Sequence, residues 1–299
     1  MIQVSIIIVN YNTKLLLSNC INSVIQHTFN LVYEIIVVDN GSTDGSVEML
    51  QEDFANVVLV AANENLGFGK GNNRGVDVAK GDFIFLLNSD TLLIENSVFD
   101  LYQFFTNNEN KLNIGAIGCK LVDLELNVCN SAGSFPLVIN DIKKYYYSFK
   151  NKLFKTSFEL IDIYDFNTPF FEVGFVSGAD LMLKRTTYKN LKGFDERFFM
   201  YYEETDLQYR LRKMGFQCYI ITSTKIIHLE GGSINERKYS NFKRIINQVS
   251  RNYYFKKNDT KMYLLHVFFD IIMNVIRIFN RNYTLKENFN FVLKNIKSY

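Results

Sequence analysis

An α/β fold, with a mostly parallel central sheet flanked by helices and a helical C-terminal extension, is predicted by three observations. Short runs dense in β-branched residues recur through the N-terminal third of the chain. Each run ends in a polar or glycine-bearing loop, and residues at helical spacing separate the first two. Runs that are apolar throughout, rather than alternating, belong to strands covered on both faces.

The elements follow in order. Residues 4–9 (VSIIIV) read as the first buried strand, and Asn10-Tyr11-Asn12-Thr13 as its turn. Leu15, Leu16, Cys20, Ile21, Val24 and Ile25 then recur with a helical period. Residues 34–38 form the second strand, closing at Asp39-Asn40-Gly41-Ser42-Thr43-Asp44-Gly45. Residues 57–61 form the third, closing at Asn63-Glu64-Asn65-Leu66-Gly67-Phe68-Gly69. The fourth, residues 82–87, ends abruptly at Asn88-Ser89-Asp90. A strand–loop–helix repeat of about 25 residues puts these loops on one rim, where open α/β sheets bind ligands.

Residues 130–166 mix lysines with Tyr145, Tyr146, Tyr147, Phe149, Phe154 and Phe158 without a strong period, and are expected to be an insertion or lid with no assigned secondary structure. Regular signals return at residues 172–183, followed by a helix over 204–214 and two strands near 218–221 and 225–228. From Asn235 onward the pattern is helical. The expected division is therefore a body, 1–235, carrying a variable 130–170 segment, and a tail, 236–299.

The composition narrows the function classes. A chain of 299 residues with 47% hydrophobic and 21% charged residues suits a soluble globular protein. The net charge of +2 conceals an asymmetry: from Glu236 onward 13 Lys and Arg face 4 Asp and Glu, a net of +9 that leaves −7 before it. An acidic body argues against nucleic-acid binding, and a basic tail points to an anionic partner. Cys20, Cys119, Cys129 and Cys218 are scattered without CxxC pairing, which argues against a zinc site or a disulfide framework and suits a reducing compartment. Met1 leads straight into the first strand with no basic leader, and no apolar stretch reaches the ~20 residues that span a bilayer. A cytoplasmic body is expected.

Several strand ends carry residues suited to chemistry. Asp90 lies where a carboxylate can hold a divalent cation against a diphosphate, although many parallel strands end in an Asp that caps the next helix. Asp39 can accept a hydrogen bond from the imide N–H of a pyrimidine base, or close a plain strand-to-helix turn. The Asn65–Gly75 loop, with Gly67 and Asn72, lets backbone approach a ligand; it lacks the Gly-Lys-Ser/Thr of a phosphate loop and serves equally as a packing device. The stretch Phe198-Phe199-Met200-Tyr201-Tyr202-Glu203-Glu204-Thr205-Asp206 brings acids to a helix start, where backbone dipoles favour the ionised form a general base needs. His228, one of 3 histidines, ends the last body strand before Leu-Glu-Gly-Gly-Ser, a fair place for a metal ligand.

In order, VSIIIVNYNT, IIVVDNGSTDGS, ENLGFGKGNNRG, FLLNSDT, SGADLMLKR, FDERFFMYYEETDLQYRLRKMGF and IIHLEGGS resemble glycosyltransferase family 2, the inverting enzymes with a GT-A fold, over about residues 3–235. Among its subgroups the chain looks most like the rhamnosyltransferases of bacterial surface-polysaccharide synthesis. The resemblance implies a nucleotide-diphosphate sugar donor, a glycan or lipid-linked saccharide acceptor, and Mg²⁺ or Mn²⁺. It assigns Tyr11 and Asp39 to the base, and the loop of Asn65, Gly67 and Asn72 to the nucleoside and phosphates. Asp90 and His228 fall on the metal, with Asn88 in place of the first acid of a DxD-type motif. Gly178, Ala179 and Tyr202 fall beside donor sugar and acceptor, and Glu204 on the catalytic base with Glu203 as its rival. The implied donor is dTDP-rhamnose, with a UDP-hexose or UDP-N-acetylhexosamine as the near alternative. A non-catalytic nucleotide-sugar or glycan-binding protein on the same scaffold is the alternative of a different class.

In the tail, His266, Asp270, Asn274 and Arg277 draw one narrow polar stripe along an otherwise apolar helix flanked by Lys256, Lys257, Lys261, Arg281 and Lys286. Such a helix suits an anionic membrane surface at the inner face of the cell membrane, packing on the body, or pairing with a second subunit.

Overall fold

A computed structural model describes residues 1–154, 164–229 and 240–299. The chain divides into a sheet unit, residues 1–134, 164–199 and 203–229, and a helical unit, residues 135–154, 200–202 and 240–299.

The sheet unit begins as the sequence predicts: β1 (Val4–Asn10), α1 (Lys14–His27), β2 (Tyr33–Asp39), α2 (Ser46–Asp53), β3 (Val58–Ala61), α3 (Phe68–Val78) and β4 (Phe83–Asn88). It continues with β5 (Thr91–Leu93), α4 (Ser97–Leu112), β6 (Ile114–Val122) and β7 (Ala132–Gly133). The helical unit contributes α5 (Val138–Phe154), within the segment left without secondary structure from sequence. The sheet unit resumes with β8 (Phe170–Val173), β9 (Phe175–Val176), β10 (Asp180–Lys184), α6 (Arg185–Asn190), α7 (Glu203–Lys213) and β11 (Gln217–His228). The chain ends in the helical unit with α8 (Asn241–Asn258), α9 (Tyr263–Arg277) and α10 (Leu285–Ile296).

The strand order of the main sheet is β3-β2-β1-β4-β10-β6-β11-β5, with β8 also paired to β11. The first four strands are mutually parallel, β6 and β11 are parallel, and β10 runs antiparallel between β4 and β6. Successive residues of each buried strand feed opposite layers. Ile6 and Ile8 pack with Leu17, Ile21 and Val24 of α1 and Leu101 and Phe105 of α4, while Ile7 packs with Val76 of α3 and Leu207 and Leu211 of α7. Coverage on both faces is why these runs are apolar without alternation.

The two short strands expected near 218–221 and 225–228 form one strand, β11. Its register against β6 slips between Ile221 and Lys225, so one bulged strand replaces a strand–turn–strand. Glu95 holds the bulge, accepting from the Lys225 N–H and the Thr224 hydroxyl. The boundary expected at residue 235 and the Glu230-Gly231-Gly232-Ser233 turn lie outside the described residues.

Candidate active site

The strand register brings the predicted loops to one edge. Asn10 pairs with Asp39, Val9 with Asn88, Leu87 with Asp180, and Thr91 with His228. Side-chain bonds tie neighbouring loops together, as between Thr13 Oγ1 and Ser89 Oγ at 3.0 Å.

Asp90 and His228 meet. β5 runs antiparallel to the end of β11, the Leu229 N–H donates to the Asp90 carbonyl at 2.9 Å, and His228 Nε2 lies 3.3 Å from Asp90 Oδ1. Both side chains are mostly buried. One carboxylate and one imidazole are donors that suit a transition-metal dication such as Mn²⁺ better than all-oxygen Mg²⁺, once further oxygen ligands complete the shell. Among the described residues no third His, Cys, Asp or Glu joins them. Asn88, half-buried at the end of β4, stands where a second acid would add charge.

Asp39 is fully buried. Its Oδ2 accepts from Asn10 Nδ2 at 2.8 Å, and its Oδ1 accepts the Ser42 N–H at 2.8 Å. In this arrangement the carboxylate orders its own turn and is sealed from solvent. Tyr11, by contrast, is exposed at the rim. Asn12 takes a left-handed conformation beside it, and its Oδ1 accepts the Thr43 N–H at 2.7 Å.

The glycine-rich stretch resolves mostly into packing. A Cβ on Gly75 would sit 2.4 Å from Ile7 Cγ2, and one on Gly71 3.0 Å from Val9 Cγ1. Four residues apart, they press one face of α3 directly onto β1. Gly67 is different. It has φ +79°, a Cβ there would meet the Phe199 carbonyl, and its N–H donates to Asn65 Oδ1 at 2.9 Å. Only glycine fits so tight an entry to the helix. Asn72 is buried and donates to the Phe68 carbonyl at 3.0 Å. Its side chain therefore serves α3, because its helical position points it inward.

Gly178 and Ala179 precede β10. The Ala179 carbonyl accepts the Asn88 N–H at 3.0 Å, which ties this segment to the end of β4. A Cβ on Gly178 would lie 3.7 Å from the Cβ of Glu204, so Glu204 faces this segment from the first turn of α7. Glu203, nearly inaccessible, lies with its Cβ 3.5 Å from the Cβ position of Gly69. The two acids thus part company: Glu203 goes beneath α3 and Glu204 toward the Gly178 segment. Tyr201 and Tyr202 take left-handed conformations just before α7, and Tyr202 belongs to the helical unit, its ring 5.5 Å from that of Tyr254.

The expected effect of the helix start on Glu204 is outweighed. Burial raises its carboxyl above the usual range, while the backbone N–H groups of Glu204 and Thr205 pull the other way. Desolvation of this partly buried group exceeds the dipole effect.

Two residues supporting the rim carried no assignment from sequence. Asp180 is fully buried; its Oδ2 accepts the Cys119 N–H at 2.6 Å, and its Oδ1 has no hydrogen-bond partner among the described residues. Burial raises its pKa to about 7, against the Cys119 N–H and the His228 charge, which lower it. An acid opening the apolar run Leu181-Met182-Leu183 was the available signal. Gln208, also fully buried, accepts the Val176 N–H at 2.7 Å and donates to the Val176 carbonyl at 2.8 Å. It clamps α7 to the strand leading into Gly178, a role with no sequence signal because Gln208 sits in a charged helical stretch.

A family model described as glycosyl transferase family 2 matches residues 5–177, more than half of the chain. The chain is 27% identical over 207 residues to an N-acetylglucosaminyl-diphospho-decaprenol L-rhamnosyltransferase of Mycobacterium tuberculosis, covering 65% of this chain and 66% of the relative. It is 32% identical over 120 residues to a poly(ribitol-phosphate) beta-glucosyltransferase of Bacillus spizizenii, covering 38% of this chain and 19% of the relative. The chain therefore spans less than two thirds of these relatives' length. Among solved structures, a mannosyltransferase of Pyrobaculum calidifontis in complex with GDP-Man and Mn²⁺ aligns with a TM-score of 0.56 at 17% identity, over 85% of this chain and 63% of that one. This likeness is one of fold, the GT-A arrangement of a central sheet flanked by helices.

Proposed function

The chain belongs to glycosyltransferase family 2, and on that premise we propose that it transfers a sugar from a nucleoside-diphosphate donor to an acceptor hydroxyl with inversion. The observation that carries the reading is the placement of Glu204 against the Gly178–Ala179 segment, which the Asn88 N–H ties to the strand ending beside Asp90 and His228.

The chemistry needs no enzyme nucleophile. Glu204 takes the proton of the acceptor hydroxyl as that oxygen attacks the anomeric carbon from the face opposite the diphosphate. The new glycosidic bond forms, the bond to the diphosphate breaks, and the diphosphate leaves with its electron pair. Asp90 and His228 would hold the divalent cation, which when bound offsets charge on the diphosphate. The exposed ring of Tyr11, beside the turn ordered by Asp39, offers a platform for the base. Gly67 sets the tight entry of its loop into α3 against the Phe199 carbonyl, and the loop of Asn65, Gly67 and Asn72 would lie along the nucleoside and phosphates.

For donor and acceptor, the mycobacterial relative supports L-rhamnose and a lipid-linked diphospho-sugar acceptor; a place in surface-polysaccharide synthesis follows from the resemblance alone. The test is a thermal-shift and turnover panel of nucleotide sugars with Mg²⁺ or Mn²⁺. A selective rise with dTDP-rhamnose and product of inverted configuration are expected. A rise confined to a UDP-sugar moves the donor to the alternative. Binding of nucleotide sugars with no transfer to any offered acceptor favours the non-catalytic reading.

A further inference from the structure

α9 is built inside out, and α10, which buries Phe291 and Val292, also hides polar residues. On α9, His266, Asp270 and Asn274 are 1–3% exposed, whereas Leu264, Phe268, Val275 and Ile276 are 59–81% exposed. On α10, Asn288 and Asn295 are buried while Leu285, Phe289 and Leu293 are exposed. The polar stripe is satisfied internally. Asp270 accepts from Arg277 Nη1 at 2.7 Å, Asn295 Nδ2 at 2.6 Å and the Tyr299 hydroxyl at 2.6 Å. Asn295 also donates to Asn274 Oδ1 at 2.8 Å, and Asn252 on α8 pairs with His266 Nε2 at 2.8 Å. These bonds lock the polar residues inward, so the apolar face of α9 and Leu285, Phe289 and Leu293 of α10 are left to the outside.

Charge identifies what covers them. From Lys256 to the C-terminus every exposed charged residue is cationic: Lys256, Lys261, Arg281, Lys286, Lys294 and Lys297. The acids of this stretch are withdrawn: Asp270 inside, Glu287 in a capping box with Thr284, and Asp259 capping α5 through the Val138 N–H. A second copy docking on this face would set like charges against one another. At about 1.5 Å per residue, the 15 residues of α9 also fall short of the ~30 Å of hydrocarbon that a spanning helix crosses. We propose that α9 and α10 lie in the interface of an anionic lipid bilayer, their apolar side chains among the acyl chains and their lysines and arginine at the headgroups. The polar interior makes this possible, since it holds the two helices together without spending their apolar faces. The proposal stands apart from the transfer chemistry, because it concerns lipid binding alone.

The experiment is flotation of the full chain with vesicles of phosphatidylcholine alone or of equal parts phosphatidylcholine and phosphatidylglycerol. The chain is expected to float with the anionic vesicles at least about tenfold better than with neutral ones, and less well as salt screens the charges. The triple variant Phe268→Ser, Ile272→Ser, Val275→Ser is expected to lose at least about tenfold of that partition with unchanged circular dichroism. Should that variant misfold, Lys286→Glu with Lys294→Glu provides the same reading from the charge side. Failure of the wild type to float with anionic vesicles overturns the proposal. So does undiminished flotation of the folded variants, or a dimer in sedimentation equilibrium that the same substitutions dissociate while lipid binding is absent.

Discussion

In the sheet unit the strand interiors hide chiefly apolar side chains such as Ile6, Ile7, Val37, Phe85 and Leu86, and the polar strand ends gather at one rim. In the helical unit Asp270, Asn274, Asn288 and Asn295 are hidden alongside Phe255 and Phe291, and aliphatic side chains face outward. The first interior is held by area removed from water, each fully buried Ile or Leu contributing about 1.5–3 kcal/mol. Such an interior degrades gradually. The second depends on a network in which every donor and acceptor counts, so losing one member strands the others in low dielectric. The two units should therefore fail differently, and their surfaces meet different surroundings.

The largest effect belongs to the rim of the sheet unit. Glu204→Gln should cut turnover about 10²–10⁴-fold while donor binding, read by calorimetry, stays within a few-fold. Near-normal turnover would remove Glu204 from the reaction and return attention to Glu203. Glu203→Gln is expected to act chiefly on stability, since that side chain is enclosed beneath α3.

Asp270→Ala should destabilise the helical unit by about 3–5 kcal/mol, because Arg277, Asn295 and Tyr299 lose a shared acceptor. Ile7→Val in the sheet unit should cost only about 0.5–1.5 kcal/mol. Denaturant titrations of both variants give the comparison, and equal costs would break it.

A pH effect sharpens the picture of the rim. Asp180 holds its proton in the folded chain up to about pH 7, whereas an ordinary carboxyl releases it near 3.8. Below the lower value both states are protonated, and the contribution of this group to stability is complete. As pH rises through the window the unfolded chain releases the proton first, and stability falls. Asp180→Asn should abolish that part of the slope between about pH 4 and 7 in urea midpoints. A variant whose slope matches the wild type would mean that Asp180 is not enclosed as described.

The smallest expected effect concerns the cation. Asn88→Asp adds a carboxylate near the Asp90–His228 pair and should tighten Mn²⁺ binding by about tenfold, measured by competition with a metal indicator. No change would place Asn88 outside the reach of the cation.

Much of the rim was readable beforehand, because strand ends announce themselves. Asn10, Asp39 and Asn88 each follow an unbroken apolar run, and parallel register then sets them side by side. The purpose of individual side chains was less readable. Asn72, expected at the nucleotide, also donates to the Phe68 carbonyl of its own helix, a bond that periodicity does not announce. Asp180 and Gln208 drew no assignment, since a buried polar residue is recognised only by the partners that enclose it.

What the amino-acid order determined by itself was the layering: apolar strands covered on both faces, glycines where helix and sheet approach, and a basic C-terminal segment with one polar stripe. These are local properties, set by side-chain volume, backbone freedom and periodicity. Only the tertiary structure decided which way that stripe faces, that Asp90 meets His228 across 138 positions of chain, and that Glu204 rather than Glu203 turns toward Gly178. Each of these depends on contacts between residues far apart in the chain, and periodicity carries no information about them.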